Sequence, residues 1–445
     1  MKEFISLLKT RRFLPLFITE SVGSFYDNLL GSALIVLITY QYTGGTESFF
    51  TASVMVALCT ALLVIPFPII SPIAGQLADK YNKAVFMRYV KISELTVCGL
   101  IVYGFIYSNI YVLMFMLFMT GVHSAIVGPL KYSMLSDHLR EDELLAGNSL
   151  MAGATYASVL AGLVLGGLVL EFDRSGYTIS VIFFICAMTG FITSFFILPN
   201  KPSAPDLKLN HNFITEAVKI VKYVRNSRSV ILSILGLSWF LLIAAIFMSQ
   251  LPTFSKSIGG DNEVYTLFLV IFSLGVAGGS LLCNKLLRGQ VSAKFTPVVS
   301  LLISICIYSL VFTSPENADT NNLVGAYEFI QNTSNWPMII SMFGIAIAGG
   351  IYIVPLYTIM QTKAEESWRS RVVAARNVIN SLFITTGMVI SAILLALYLD
   401  VFELFILIAS ANLIVTAYSC KVLPELPNRA KTKIKAIKGK FVWVM

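Results

Sequence analysis

Asp27 is the residue of this chain best placed to do chemistry. It lies in the apolar run from Phe17 to Tyr40, FITESVGSFYDNLLGSALIVLITY. An ionisable side chain near the middle of a membrane helix costs at least ~2.5–3.5 kcal/mol on insertion scales, so it marks a water-filled cavity, a substrate or a partner charge. Two roles fit Asp27: an anion that contacts a cationic group or carries a proton, and a carboxylate that only hydrogen-bonds a neighbouring helix. Asn28 stands beside it. Glu20, seven residues earlier, falls on a similar helix face and joins Asp27 as a candidate charge or proton relay, unless it pairs with Arg12 or Lys131.

Other polar residues carry similar pairs of readings. Lys131, followed by Tyr132, can hold a phosphate as a point charge or snorkel to the interface. Asn148, Arg376, Asn377 and Asn380 open two later apolar runs, where amides line a cavity or, more commonly, bond helix to helix. Trp239 and Gln250 share that ambiguity. His123, inside an apolar run, can shuttle protons or pack between helices with one nitrogen satisfied. Enzyme signatures are missing: there is no HxxxxD acyltransferase box, no GxxxxGK[ST] and no HExxH. The cysteines Cys59, Cys98, Cys186, Cys283, Cys306 and Cys420 sit in or at the edge of apolar runs without CxxC spacing, so they read as small buried hydrophobes rather than disulfides or metal ligands. The expectation is a protein that is no enzyme and takes no cofactor and no metal.

The elements that position these residues are membrane spans. The chain is 56% apolar and 13% charged, with a mean hydropathy of +0.79, outside the range of soluble domains. Apolar runs long enough to cross ~30 Å of hydrocarbon recur near 14–40, 50–74, 84–106, 110–134, 144–170, 177–198, 230–255, 263–287, 295–314, 336–360, 372–398 and 402–422. The third and fourth are parted only by Tyr107-Ser108-Asn109. With both termini in the cytoplasm, every Lys and Arg except Arg174 and Lys256 reads as cytoplasmic or at that membrane edge, a strong positive-inside signal. The net charge of +8 therefore calls for no nucleic acid. The basic tail Arg429 to Lys440 lies against anionic lipid or serves as a solvated topology signal.

The predicted fold is all-α, with twelve spans in two pseudo-symmetric six-helix halves, 1–198 and 230–422, a cytoplasmic linker 199–229 and a basic tail 423–445. A parallel repeat supports the halves: GPLKYSMLSDHLREDELLAGNSL in the first resembles IVPLYTIMQTKAEESWRSRVVAARNVI in the second, matching Pro129 to Pro355 and Asn148 to Asn377. This is the layout of the major facilitator superfamily. The run GQLADKYNKAVFMR resembles its signature loop G-x-L-A-D-[RK]-x-G-[RK]-[RK], with Asn82 in place of glycine and Ala84 in place of a basic residue. That resemblance implies a conformational latch at Gly75, Asp79, Lys80 and Lys83. The glycines Gly162, Gly166 and Gly167, and Gly275, Gly278 and Gly279, read as close helix-packing sites.

FITESVGSFYDNLLGSALIVLITY, GPLKYSMLSDHLREDELLAGNSLMAGATYASVLAG, LSWFLLIAAIFMSQLP, FSLGVAGGSLLC and GGIYIVPLYTIMQ…RVVAARNVINSLF resemble the lysophospholipid transporter branch of that superfamily, which includes members fused to acyltransferases. The resemblance implies a monomeric flippase of lysophosphatidylethanolamine and lysophosphatidylglycerol in the bacterial inner membrane, surrounded by membrane lipids and working with a cytoplasmic acyltransferase. It places head-group recognition on Asp27, for an ammonium, and Lys131, for a phosphate. An arginine that stand-alone members carry in span 7 has no counterpart in LSWFLLIAAIFMSQLP; either Arg376 or Lys363 substitutes for it, or this half contacts the acyl chain only. A proton-coupled transporter of another amphiphile, such as a drug or siderophore, shares the fold, and a non-transporting scaffold or sensor is the reading from another class.

Overall fold

A computed structural model describes residues 2–41, 59, 62–173, 175–287, 290–315, 323–397 and 399–422. The basic tail, Arg174, and the start of the second predicted span lie outside the described residues. The elements in chain order are α1 (Lys2–Leu8), α2 (Leu14–Gln41), α3 (Pro66–Lys80), α4 (Lys83–Ile106), α5 (Ile110–His138), α6 (Glu141–Phe172), α7 (Tyr177–Phe196) and α8 (Phe213–Val224). There follow α9 (Arg228–Ser257), α10 (Asn262–Leu287), α11 (Thr296–Phe312), α12 (Ala326–Gln331), α13 (Trp336–Lys363), α14 (Arg369–Leu397) and α15 (Val401–Val422). Among the described residues eleven stretches are long and apolar enough to cross a membrane, and α11 is a shorter apolar helix at the place of the ninth predicted span. Together they account for the twelve expected segments.

Local chemistry explains the boundaries. Between α4 and α5 the chain turns at Ser108, which takes a left-handed φ of 49°. The Asn109 side chain then accepts from the Val112 amide at 3.1 Å and caps α5. Asn82, where the signature loop has glycine, caps α4 in the same way, accepting from Ala84 and Val85. Two helices run a few residues past their predicted span ends. The prolines at 129 and 355 lie inside α5 and α13, which run on to His138 and Lys363. Proline removes the bond its amide would make to the carbonyl four residues back. At Pro129 that carbonyl, Ala125 O, is taken by the Ser71 hydroxyl at 3.0 Å, so α5 continues.

The described contacts form two compact bodies, Met1–Ala245 with Tyr357–Val389, and Ile246–Leu356 with Ile390 onward. In the first body α2 packs closely on α6. A Cβ on Gly162 would meet Phe25 O at 2.6 Å, and one on Gly166 would meet Leu29 O at 2.7 Å, while Gly167 has only Ser32 Oγ at 4.0 Å. In the second body Gly275 abuts Ala346 and Gly279 abuts Ile347, whereas Gly278 faces open space. In each triplet it is the pair four residues apart that permits backbone approach, since those two share a helix face. Two apolar clusters fill the first body. One is built on Tyr26, Leu30, Ile101, Phe105 and Phe183, the other on Phe13, Leu16, Met87, Leu135 and Met151. Along α2 they leave a polar stretch between Leu16 and Tyr26.

Gly166→Val forces side-chain atoms against the α2 backbone. It is expected to lower stability by about 1–3 kcal/mol, read as a drop in thermal midpoint in detergent, while Gly167→Ala leaves the midpoint near that of the parent.

Candidate functional site

The polar stretch of α2 opens on a cavity of about 160 Å³. α2 contributes Thr19, Glu20, Gly23, Ser24 and Asp27; α4 contributes Lys91 and Glu94; α5 contributes His123, Ser124, Val127, Gly128, Lys131 and Tyr132. The spacing on each helix follows the 3.6-residue turn, so each presents a single polar face. In a medium with few water contacts, ammonium and carboxylate groups need partners, and most of them have one. Lys131 Nζ lies 3.5 Å from Glu20 Oε2 and donates to Thr155 Oγ1 at 3.1 Å. Lys91 Nζ is 2.6 Å from Glu94 Oε2. His123 Nε2 shares a 2.8 Å hydrogen bond with Ser93 Oγ.

Asp27 differs. The Ser124 hydroxyl donates to its Oδ2, and no cation pairs with it among the described residues. The cavity therefore holds three carboxylates and two ammonium groups; the ammonium groups engage two of the carboxylates, and Asp27 is left open to a visiting cation or proton.

Beyond Tyr132 a second basic cluster begins. The Tyr132 and Tyr357 rings stack at 4.4 Å. Arg376 donates to the Tyr357 hydroxyl and to Asn377 Oδ1, and its guanidinium lies 5.6 Å and 5.2 Å from the two ring centres. A flat cation on stacked aromatics is a cation–π arrangement.

Of the predicted site residues, Asp27, Glu20, Lys131, Tyr132 and His123 meet in the cavity, and Arg376 reaches its edge through Tyr132. The others lie elsewhere. Asn28 points away from the cavity: its amide bonds the Ser24 carbonyl and its Cβ faces Gly162. Asn148 exchanges hydrogen bonds with Gln361 at 2.7 Å and 3.2 Å and donates to Thr358. Asn377 donates to Ser71 Oγ at 3.0 Å. Both asparagines join helices, the commoner of their two readings. Asn380 has a buried Oδ1 without a hydrogen-bond partner; Trp239, half-buried on α9, and Gln250 do not line the cavity. Arg12 bonds Glu143, not Glu20.

The cavity also corrects the charge map. Lys91 is no membrane-edge lysine: it is 3% exposed and stands eight residues beyond the start of α4. Lys91 and Glu94 line the cavity without having been expected there. Their spacing inside an apolar run was the available signal, because residues three apart share a helix face and can cancel each other's charge.

A further ion cluster forms around the loop residues expected to act as a latch. Asp79, 0% exposed, accepts from the Ser370 amide at 3.1 Å and from Arg371 Nε at 2.9 Å. Gly75 lets Ala374 and Arg371 approach, since a Cβ there would lie 2.9 Å from Ala374 Cβ. Lys83 donates to Asp137 Oδ2 at 2.6 Å, and Asp137 also pairs with Arg369 at 3.1 Å. Lys80 stays outside the cluster, its ammonium 5.9 Å over its neighbour Tyr81. Trp368 is held between Tyr223, ring centres 3.8 Å apart, and the Arg371 guanidinium at 3.7 Å. Tyr223, on the amphipathic helix α8, has its hydroxyl pushed up to about 12 by burial and by its bond to the Glu365 carboxylate.

Many apolar helices around a charged internal cavity define a multi-pass membrane protein of the transporter class. The Major Facilitator Superfamily model matches residues 13–326, and the chain belongs to that superfamily. Its fold is similar to that of the Escherichia coli fucose:proton symporter FucP (TM-score 0.68, 10% identity, covering 93% of this chain and 99% of that one). It is also similar to the human organic anion transporter MFSD10 (TM-score 0.67, 11% identity, 91% and 99%). In sequence it is similar to the lysophospholipid transporter LplT of Pectobacterium carotovorum, 24% identical over 371 residues, covering 81% of this chain and 80% of the relative. LplT of Escherichia coli O1:K1 / APEC is 21% identical over 361 residues, covering 79% and 80%.

Removing one member of a buried ion pair strands the other's charge. Arg371→Met is expected to lower stability by about 3–5 kcal/mol, and the double variant Asp79→Asn, Arg371→Met to recover much of that loss, both measured by thermal unfolding in detergent.

Proposed function

We propose that this chain is a lysophospholipid transporter. In this reading it moves lysophosphatidylethanolamine and lysophosphatidylglycerol from the outer to the inner leaflet of a bacterial inner membrane by alternating access, and a cytoplasmic acyltransferase restores the second chain. The observation that carries the reading is Asp27 in the cavity. Among the described residues it is the one carboxylate there without a cation, in a chain whose relatives named for lysophospholipid transport align over four-fifths of its length. An ethanolamine ammonium fills that vacancy in charge. Lys131 supplies a point charge for phosphate, and Tyr132 with Arg376 extends the basic surface beyond it. The acyl chain stays near lipid, so the polar head alone needs a protein path.

Further parts of the proposal follow from the superfamily layout. The halves 1–198 and 230–422, joined by the linker 199–229, rock against each other as alternating access requires. The loop at Gly75, Asp79 and Lys83 acts as a latch through its bonds to Ser370, Arg371 and Asp137; Lys80 contributes charge to the loop only. The chain works as a monomer.

A second reading rests on His123. A histidine held by Ser93 within the same cavity as Asp27 and Glu20 has the parts of a proton relay, which suits a proton-coupled transporter of another amphiphile.

Uptake of labelled lysophosphatidylethanolamine into spheroplasts separates the two. The expected result is uptake above the empty control that persists when the proton gradient is collapsed and falls at least tenfold in Asp27→Asn. Uptake abolished by the uncoupler favours the proton-coupled reading, and no uptake by an inserted protein removes the lysolipid assignment.

A further inference from the structure

Asp27 and Lys131 stand two helical turns apart, so only a fully extended head group reaches from one to the other. On α2 Glu20, the partner of Lys131, precedes Asp27 by seven residues. On α5 Ser124, the partner of Asp27, precedes Lys131 by seven. Each helix therefore separates the two charges by about 10 Å along its axis. An ethanolamine head joins nitrogen to phosphorus through a short O–C–C–N chain. At ~1.5 Å per single bond, its ammonium stays within about 5 Å of its phosphorus. A head group docked on Asp27 in any less extended shape leaves its phosphate between the two rungs, nearer to the height of Gly23 than to Lys131.

Lys91 stands at that height. Its Nζ lies 3.3 Å from where a Cβ would sit on Gly23, one turn before Asp27 on the same face of α2. One turn is about 5–6 Å, the reach of the head group. Gly23 leaves the ammonium this close approach, and the lysine stem passes Gly190 on α7 at an ordinary contact distance, 3.5 Å from where a Cβ would sit. An ammonium has three donors. Among the described residues Lys91 gives a hydrogen bond to Glu94 only, whereas Lys131 is engaged by Glu20 and Thr155. Below it, Glu20 Oε1 is buried with no hydrogen-bond partner, so the lower rung also retains capacity for a cation.

We infer that Lys91, held by Glu94 against Gly23, is the phosphate-binding residue for a head group whose ammonium sits on Asp27. The cavity is then a ladder of two acid–base rungs, Asp27 with Lys91 and Glu20 with Lys131. A zwitterionic head moves between them by exchanging one pair of partners for the next, and an anionic glycerol head uses the two lysines alone. This assignment rests on the lysolipid reading above and adds to it the residue that takes the phosphate.

The test is binding to the purified full chain in detergent, with lysophosphatidylethanolamine, lysophosphatidylglycerol and a monoacylglycerol of the same acyl chain as probes. Lys91→Met alone strands Glu94 in the interior, so the informative variant is the neutral pair Lys91→Met, Glu94→Met, with Lys91→Arg as the conservative control. The expected result is that the neutral pair weakens both phosphate-bearing lipids about tenfold or more, as loss of a hydrogen bond to a charged group predicts. Monoacylglycerol binding is unchanged, and Lys91→Arg retains phospholipid binding. Equal weakening of all three probes, or none, overturns the assignment and makes Lys91 a packing residue. A parent chain that binds neither phospholipid overturns the lysolipid reading itself, and this assignment with it.

Discussion

A charge taken into a helical membrane bundle must find an opposite charge or a route to water, and the first compact body is arranged around that constraint. Lys91 and Lys131 enter the interior only because Glu94 and Glu20 accompany them at 2.6 Å and 3.5 Å. Those pairs in turn require α2, α4 and α5 to present polar faces at one depth. The apolar clusters around Phe105 and Phe13 bracket that depth, so the polar faces cannot slide out of register without exposing charge to hydrocarbon. Close packing of α2 on α6 through Gly162 and Gly166 fixes the rotation of α2 about its axis. That rotation sends Asn28 to α6 and leaves Asp27 to the cavity.

The same constraint governs the ion cluster around Asp79. There the compensation is spread over more groups: Arg371 pairs with Asp79 while its guanidinium plane covers Trp368, and Asp137 collects Lys83 and Arg369. An arginine can meet both demands because its fork bonds a carboxylate in plane while its face stacks on an aromatic ring. Tyr223 closes the stack from the other side, which ties the amphipathic helix α8 of the linker to the same cluster. A segment that reads in sequence as a plain connector thus shares partners with the expected latch.

What was legible in the sequence followed from hydrophobic period and isolated charge. The spans, the Tyr107-Ser108-Asn109 break, and Asp27, Glu20 and Lys131 as charges that need an interior explanation all stand out, because single charges in apolar runs have no local partner. Lys91 and Glu94 escaped notice for the opposite reason: a local i,i+3 partner makes a charge pair look self-sufficient and leaves topology rules undisturbed. Asn28 misled by adjacency, since neighbouring helical residues point about 100° apart. Asn148 and Asn377 matched each other in sequence, yet their bonds to Gln361 and Ser71 depend on contacts hundreds of residues away along the chain. The helices run on through the prolines at 129 and 355, and the donor that takes the carbonyl left open by the first, Ser71, belongs to another helix.

Pairing also sets how easily a head group could move through such a site. A lone buried lysine would bind phosphate tightly and release it slowly; a lysine already neutralised by glutamate gives up one partner as it takes another, so the difference between bound and empty states shrinks. The net affinity of each rung is then a difference of two ion-pair energies in the same low-dielectric surroundings. Weak, repeated sites are what translocation requires, because a ligand must enter each station and also leave it. Two lysines of like chemistry, each with its own glutamate counter-ion, satisfy that requirement. The unpaired Asp27 breaks the symmetry between them and gives a cationic head its first point of attachment.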